Sequence, residues 1–247
     1  MTTNILVTGS TRGIGAAIVA ALKQEDARVV GHGSRSGNGV IGADLEAPGA
    51  GDRVWDEALA KLDGRIDVLV NNAGVFEAAP VDLPAHEWQA QWARTLQINL
   101  QAAADLCRRA VLHFREIGEP VGCGSAAPPV RGRIVNVASR AAYRGDSPAH
   151  WHYAAAKAGM VGMTKSIARG FASEGILAFT VTPGFVMTGM AEEYLSSRGG
   201  DKVLADIPLG RVADPAEVAN AVAYLALHAP PSMTGAVIDI NGASYVR

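Results

Sequence analysis

Ile5-Leu6-Val7-Thr8-Gly9-Ser10-Thr11-Arg12-Gly13-Ile14-Gly15 is the stretch whose reading decides the fold. A short apolar run breaks into a glycine-spaced turn, and a helix-patterned segment continues to about Gln24. Glycines let a backbone turn sharply and approach a phosphate closely, while a helix amino terminus offers unpaired N–H groups and a positive dipole end. The spacing is G-x-x-x-G-x-G rather than the commoner G-x-G-x-x-G. Alone, such a turn is a weak signal that also fits a tight structural turn. Its place after a strand, before a helix and at the start of the chain points to a dinucleotide. Gly9, Ser10, Thr11, Arg12, Gly13, Ile14 and Gly15 are the candidate cradle.

Outward from this turn the alternation repeats. Runs at Ile5–Val7, Arg28–Gly31, Val40–Ile41, Val68–Val70, Arg133–Val137, Phe179–Thr182 and Val237–Ile240 read as strands. Segments near 14–24, 52–63, 84–117, 150–173 and 214–228 read as helices. Such alternation predicts an α/β, Rossmann-type doubly wound parallel sheet of about seven strands with helices on both faces. One domain is expected over residues 1–247. Two segments depart from the rhythm. The twelve residues Gly33–Asp44, with glycines at 33, 37, 39 and 42, are too few for an ordinary helix. Gly118–Gly132, rich in glycine and proline, reads as an extended surface loop.

Composition narrows the class. Hydrophobic residues make up 49% and aromatics only 6%, which suits close helix-on-sheet packing better than an aromatic-rich sandwich. A net charge of −2 argues against nucleic acid or an anionic membrane as partner. Cys107 and Cys123 make no disulfide framework, and no His/Cys cluster has metal-ligand spacing. A strand within the first five residues leaves no room for a signal peptide, and no run approaches 18 apolar residues. The expectation is a soluble, cytoplasmic protein.

Tyr153-Ala154-Ala155-Ala156-Lys157 carries the chemistry. On a helix of 3.6 residues per turn, positions four apart leave the same face, and three alanines do not obstruct them. A cation beside a phenol favours the phenolate and lowers a pKa near 10, making the tyrosine usable in proton transfer near neutrality. For the cofactor, the tip of the second strand is informative: His32-Gly33-Ser34-Arg35-Ser36 contains no acid to bind a ribose 2′-hydroxyl. Arg35 and Arg12, with Ser34, could instead hold a 2′-phosphate. NADP(H) is therefore the preferred cofactor, with NAD(H) possible.

The glycine turn, Asn71-Asn72-Ala73-Gly74 after the fourth strand, Ser139 after the fifth, and Tyr153/Lys157 fourteen residues on form an ordered set. With it the chain resembles the short-chain dehydrogenase/reductase family over nearly all residues from 4 to 246. Tyr153–Gly159, Pro208-Leu209-Gly210-Arg211, Thr234-Gly235 and Asn241-Gly242 look like its 3-oxoacyl-carrier-protein reductase branch. The resemblance implies that Tyr153 is the general acid or base, that Lys157 lowers its pKa and bonds the nicotinamide ribose, and that Ser139 bonds the substrate oxygen. Asn99 would hold a proton-relay water. Asp44 and Leu45 would contact adenine, Asn72, Ala73 and Gly74 would line the adenosine ribose, and Pro183, Gly184, Val186 and Thr188 would clasp the nicotinamide side. Taken singly, Asn99 also fits a helix-interior polar residue, Asp44 a turn-former and Ser139 a cap.

The family likeness further implies a small-molecule carbonyl or alcohol substrate and a homotetramer, or alternatively a dimer, assembled through the long helices. The substrate pocket is expected from Arg140–Trp151, Phe185 and a lid over Met187–Pro208, including Met190 and Tyr194. Arg140, Arg144, His150 and His152 could recognise an anion, though a solvated loop rim is the favoured reading. Glu174 stands where the carrier-protein branch tends to be basic, which weakens the case for an acidic carrier protein as partner. Phe179 replaces a usually polar residue. An NAD-linked secondary-alcohol dehydrogenase and a non-catalytic nicotinamide-binding regulatory protein are the competing readings.

Overall fold

The computed structural model describes residues 2–37, 39–117, 129–188 and 200–247. The strands are β1 (Asn4–Val7), β2 (Arg28–Gly33), β3 (Val40–Gly42), β4 (Val68–Asn71), β5 (Gly132–Val137), β6 (Ile176–Pro183) and β7 (Val237–Ile240). The α-helices are α1 (Gly13–Gln24), α2 (Ala50–Lys61), α3 (Ala85–Leu96), α4 (Ala102–Ile117), α5 (Ala141–Arg144), α6 (Trp151–Phe171), α7 (Gly200–Ala205) and α8 (Pro215–Leu227). All pairings are parallel, in the order β3-β2-β1-β4-β5-β6-β7. Strand order reverses between β1 and β4, which opens a crevice beyond their carboxyl ends.

A parallel sheet must be covered on both faces, so the cores of its central strands are apolar. Ile5, Leu6 and Val7 are fully buried in β1, as are Leu69 and Val70 in β4. On one face Trp55 of α2, Leu106 and Phe114 of α4 and Ile167 of α6 pack against the sheet; on the other lie Ile18 and Leu22 of α1 with Val218 and Val222 of α8. Each large apolar side chain buried this way contributes about 1.5–3 kcal/mol. Phe179 belongs to the second face and is fully buried, so it extends the core. Helix α8 starts on a capping box: Asp214 accepts from the Ala216 N–H at 2.7 Å, and Glu217 accepts from the Asp214 N–H at 2.7 Å.

Among its described residues the irregular link after β2 contains no helix. Arg35 and Ser36 fold back so tightly that a Cβ on Gly42 would lie 2.2 Å from the Ser36 nitrogen, and Gly31 still pairs with Val40. The wall of the crevice beyond β2 is thus a short loop. Of the proline-rich insertion, residues 118–128 lie outside the described residues.

One expectation needs correction. Residues 84–117 form not one helix but α3 and α4, separated by a π-helical turn over Gln97–Gln101. The wide turn carries Asn99 to the backbone of Val75, where its carboxamide accepts the Val75 N–H at 2.8 Å and donates to the Val75 carbonyl at 2.8 Å. π-Bulges of this kind recur at functional sites.

Candidate active site

The glycine turn sits on the switch point of the sheet. Thr8, 1% exposed, accepts the N–H groups of Asn72 and Ala73 at 3.0 Å each, which staples the end of β1 to the end of β4. Asn72 returns its amide to the carbonyls of Thr8 (3.1 Å) and Gly9 (3.0 Å). Gly9 has φ +62°, and a Cβ there would fall 2.7 Å from the Ala73 Cα, so only glycine fits. The start of α1 carries no side-chain cap, which leaves its first N–H groups free to face an anion. Gly13 turns toward Thr188, whose Cγ2 would be 3.2 Å from a Cβ on the glycine.

Bare backbone at a helix amino terminus, with flanking cations, fits a dinucleotide diphosphate. Arg12 and Arg35 are solvent-exposed and neither has a carboxylate partner among the described residues. Ser34 is exposed beside Arg35. Asp44 is exposed and accepts the Glu46 N–H at 3.0 Å, while Leu45 is buried at its side. On the opposite wall the Pro183 carbonyl accepts the Arg140 N–H at 2.9 Å, and Gly184 passes so near Asn241 that a Cβ would lie 2.9 Å from its Cα. Val186 bridges to Ala213.

From Ala73 the chain runs directly into Gly74, and a Cβ on Gly74 would lie 3.3 Å from Asn99 Oδ1 and 3.5 Å from Lys157 Nζ. Lys157 is 4% exposed, donates to the Val137 carbonyl at 2.9 Å and lies 5.8 Å from the centroid of the Tyr153 ring. Ser139 ends the segment after β5; it accepts the Ala141 N–H at 3.1 Å, and its hydroxyl favours the ionised form of the Tyr153 phenol. Tyr153, Lys157, Ser139, Asn99 and Gly74 therefore converge next to the glycine turn.

The electrostatics differ from the expectation that Lys157 pulls the Tyr153 pKa down. Burial pushes the Tyr153 phenol up to about 12, with the Ser139 bond acting against it and the charge of Asp146 adding to it. Burial also pushes Lys157 down to about 8. Desolvation disfavours the charged form of each group. At neutral pH both groups hold their protons.

Around Tyr153 stands an aromatic wall. The Phe76 ring stacks on His150 at 3.9 Å and meets Tyr153 edge-on at 4.8 Å. Phe76 gives no signal in the sequence beyond its closeness to Gly74. The reading of Arg140, Arg144, His150 and His152 as a solvated rim holds for Arg144, which is exposed, and is corrected for two others: Arg140 and His152 are buried, Arg140 over the Phe185 ring and His152 beside Trp92. Arg140 and Arg144 share the carboxylate of Asp206 at 3.3 and 2.6 Å. Trp151, Phe185 and Met187 are exposed toward solvent, and Met190 and Tyr194 lie outside the described residues. Glu174 forms a two-point bond with Arg115, at 2.6 and 2.7 Å.

A family model described as enoyl-(acyl carrier protein) reductase matches residues 9–243. The chain belongs to the short-chain dehydrogenase/reductase family. It is 36% identical to the 3-oxoacyl-[acyl-carrier-protein] reductase of Vibrio cholerae, over 98% of this chain and 96% of the relative. Nodulation protein G of a Rhizobium species is 34% identical over 96% of this chain and 94% of its own length. Among solved structures, a provisionally assigned gluconate dehydrogenase from Agrobacterium tumefaciens superposes with a TM-score of 0.84 at 25% identity, covering 99% of this chain and 97% of that one. As a short-chain dehydrogenase/reductase, the protein is an NAD(P)-dependent oxidoreductase. Among the described residues no helix is long and apolar enough to cross a membrane, and no cluster of His, Cys, Asp and Glu could hold a metal ion.

Proposed function

We propose that the protein is an NADP(H)-dependent carbonyl reductase, working reversibly as a secondary-alcohol dehydrogenase, with Tyr153 as general acid or base. The observation that carries this reading is the convergence of Tyr153, Ser139, Lys157 and Asn99 beside an uncapped helix terminus at the switch point. When bound, the nicotinamide cofactor supplies or accepts the hydride at the substrate carbon. Ser139 hydrogen-bonds the carbonyl oxygen and stabilises the negative charge that grows there. The phenolic proton of Tyr153 passes to that oxygen, which completes the alcohol; in the oxidising direction the same proton returns. Lys157 keeps positive charge next to the reacting phenol, and Asn99, anchored on Val75, holds the relay end of the path. A phenol that keeps its proton at neutral pH favours the reducing direction.

Cofactor choice rests on Arg35 and Arg12, two cations without a carboxylate partner among the described residues, where an acid would bind a 2′-hydroxyl. An NAD-linked dehydrogenase is the second reading, favoured by the likeness to a gluconate dehydrogenase. The substrate is a free, small or medium carbonyl compound rather than a carrier-bound acyl chain, because the Glu174 carboxylate occupies the Arg115 guanidinium. A cytoplasmic homotetramer completes the proposal, with a dimer as the alternative.

Tyr153→Phe tests the reading. It should leave cofactor binding largely intact and lower kcat by about 100- to 10,000-fold, the usual contribution of a positioned proton donor. A variant that reduces a panel of ketones at near wild-type kcat would overturn it.

A further inference from the structure

We infer that His32 is a positioning residue for the cofactor: its buried neutral imidazole ties the glycine turn to the adenosine-side loop, and its protonation releases the turn. The inference rests on the proposal that a dinucleotide lies on that turn. His32 is 3% exposed. Its Nε2 lies 3.0 Å from the Ala43 carbonyl, which can only accept, so Nε2 carries the proton. In a neutral ring Nδ1 is then an acceptor, and the Gly9 N–H donates to it at 3.4 Å. The carbonyl of the same residue takes the Ser10 N–H at 2.8 Å and the Ser10 hydroxyl at 3.1 Å.

The neighbours of His32 are shaped for this contact. A Cβ on Gly31 would lie 2.3 Å from Ser10 Oγ, and one on Gly33 would lie 2.6 Å from Thr11 Cγ2. The strand tip Gly31-His32-Gly33 is thus bare on either side, so that the turn can settle on it, and one imidazole grips from below. Being buried behind Gly9, His32 acts on the cofactor through the turn.

A second proton would set an Nδ1–H against the Gly9 N–H, two donors face to face, and the ring would have to leave. Burial holds the imidazole below its ordinary range, opposed only by the bond to Ala43. The charged groups on the surrounding elements are Arg12 on the turn, Arg35 after β2 and Asp44 after Ala43. The two arginines are exposed, the Asp44 carboxylate is engaged by the Glu46 N–H, and none of the three shifts the ring.

The test is titration of NADPH into the full-length protein at about pH 8 and about pH 5, either side of the ordinary histidine range. Three proteins are compared: wild type, His32→Asn, whose Oδ1 takes the place of Nδ1 and does not titrate, and His32→Leu. At about pH 8, wild type and His32→Asn should bind within about threefold of each other and His32→Leu about tenfold more weakly, the loss of one buried hydrogen bond. At about pH 5 wild type should weaken relative to His32→Asn, the direction set by the loss of the Gly9 N–H acceptor on protonation. That ratio cancels the titration of the cofactor's own phosphate. Turnover at saturating NADPH should stay the same in all three, so the effect falls on the cofactor KM and spares kcat. A wild-type to His32→Asn ratio that does not change with pH would overturn the inference, and it decides alone if His32→Leu does not fold. Equal binding by wild type and His32→Leu at about pH 8 would overturn it too. No binding of NADPH by any of the three would instead bring down the cofactor reading, and this inference with it.

Discussion

Thr8→Val removes one oxygen atom and keeps the side-chain shape, so it isolates what the staple between β1 and β4 contributes. The Thr8 hydroxyl accepts two N–H groups at 3.0 Å, from Asn72 and Ala73, and is itself buried. Valine cannot accept either. A buried donor left without a partner costs about 1–3 kcal/mol. Asn72 and Ala73 are only partly buried, and water recovers some of that cost, so the two together are worth about 2–4 kcal/mol. Unfolding entropy of about 2.1 cal/mol/K per residue makes 1 kcal/mol worth about 2 °C in a chain of this size. Thr8→Val should therefore melt about 4–8 °C below wild type in calorimetry or circular dichroism. Thr8→Ser keeps the oxygen and loses one methyl, worth about 0.8 kcal/mol, so it should fall by less than about 2 °C. Because the freed N–H groups adjoin Gly9, cofactor affinity should drop with stability in the valine variant and hold in the serine variant. If Thr8→Val melted within about 1 °C of wild type, the two bonds would not be holding the crevice together.

Arg35→Asp should move the ratio of kcat/KM for NADPH over NADH toward NADH by about 10- to 100-fold, the value of a charge-assisted bond to phosphate; an unchanged ratio would remove Arg35 from cofactor selection. The rate of carbonyl reduction should be level up to about pH 8 and fall above it, because Lys157, held at about 8 by burial, is the first of the buried pair to lose its proton. A reduction rate that stays level well past that point would mean that the Lys157 charge plays no part.

Much of the fold was legible along the chain because its signals are local. Ile5–Val7 and Val68–Val70 are short apolar runs, and such runs between helix-patterned segments have one compact solution. The motif residues were legible for a related reason: Gly9, Gly13 and Gly15 stand where only glycine serves a turn against a helix start. The break at Gln97–Gln101 was not legible, since an α-helix and a π turn differ by one residue in register and the partner of Asn99 is Val75, on another element. Nor was the burial of Arg140 and His152, charged or polar residues whose types read as a solvated rim. Phe76, which touches both His150 and Tyr153, carries no pattern that separates it from any exposed aromatic residue.

The sequence by itself determined the parallel sheet, the order of the motifs and the residue types available for hydride and proton transfer. Each of those is written in spacings of a few residues, the range over which the periods of strands and helices operate. The tertiary structure alone decided how the groups behave once assembled. Spacing puts Tyr153 and Lys157 on one helix face and predicts a lowered phenol pKa. The fold encloses both, and desolvation, which depends on every element packed around them, holds the phenol at about 12 and the ammonium at about 8. The same holds for His32: nothing beside it in the chain reveals that its ring will lie between Gly9 and Ala43, because only the packing of β2 against the turn brings the three together.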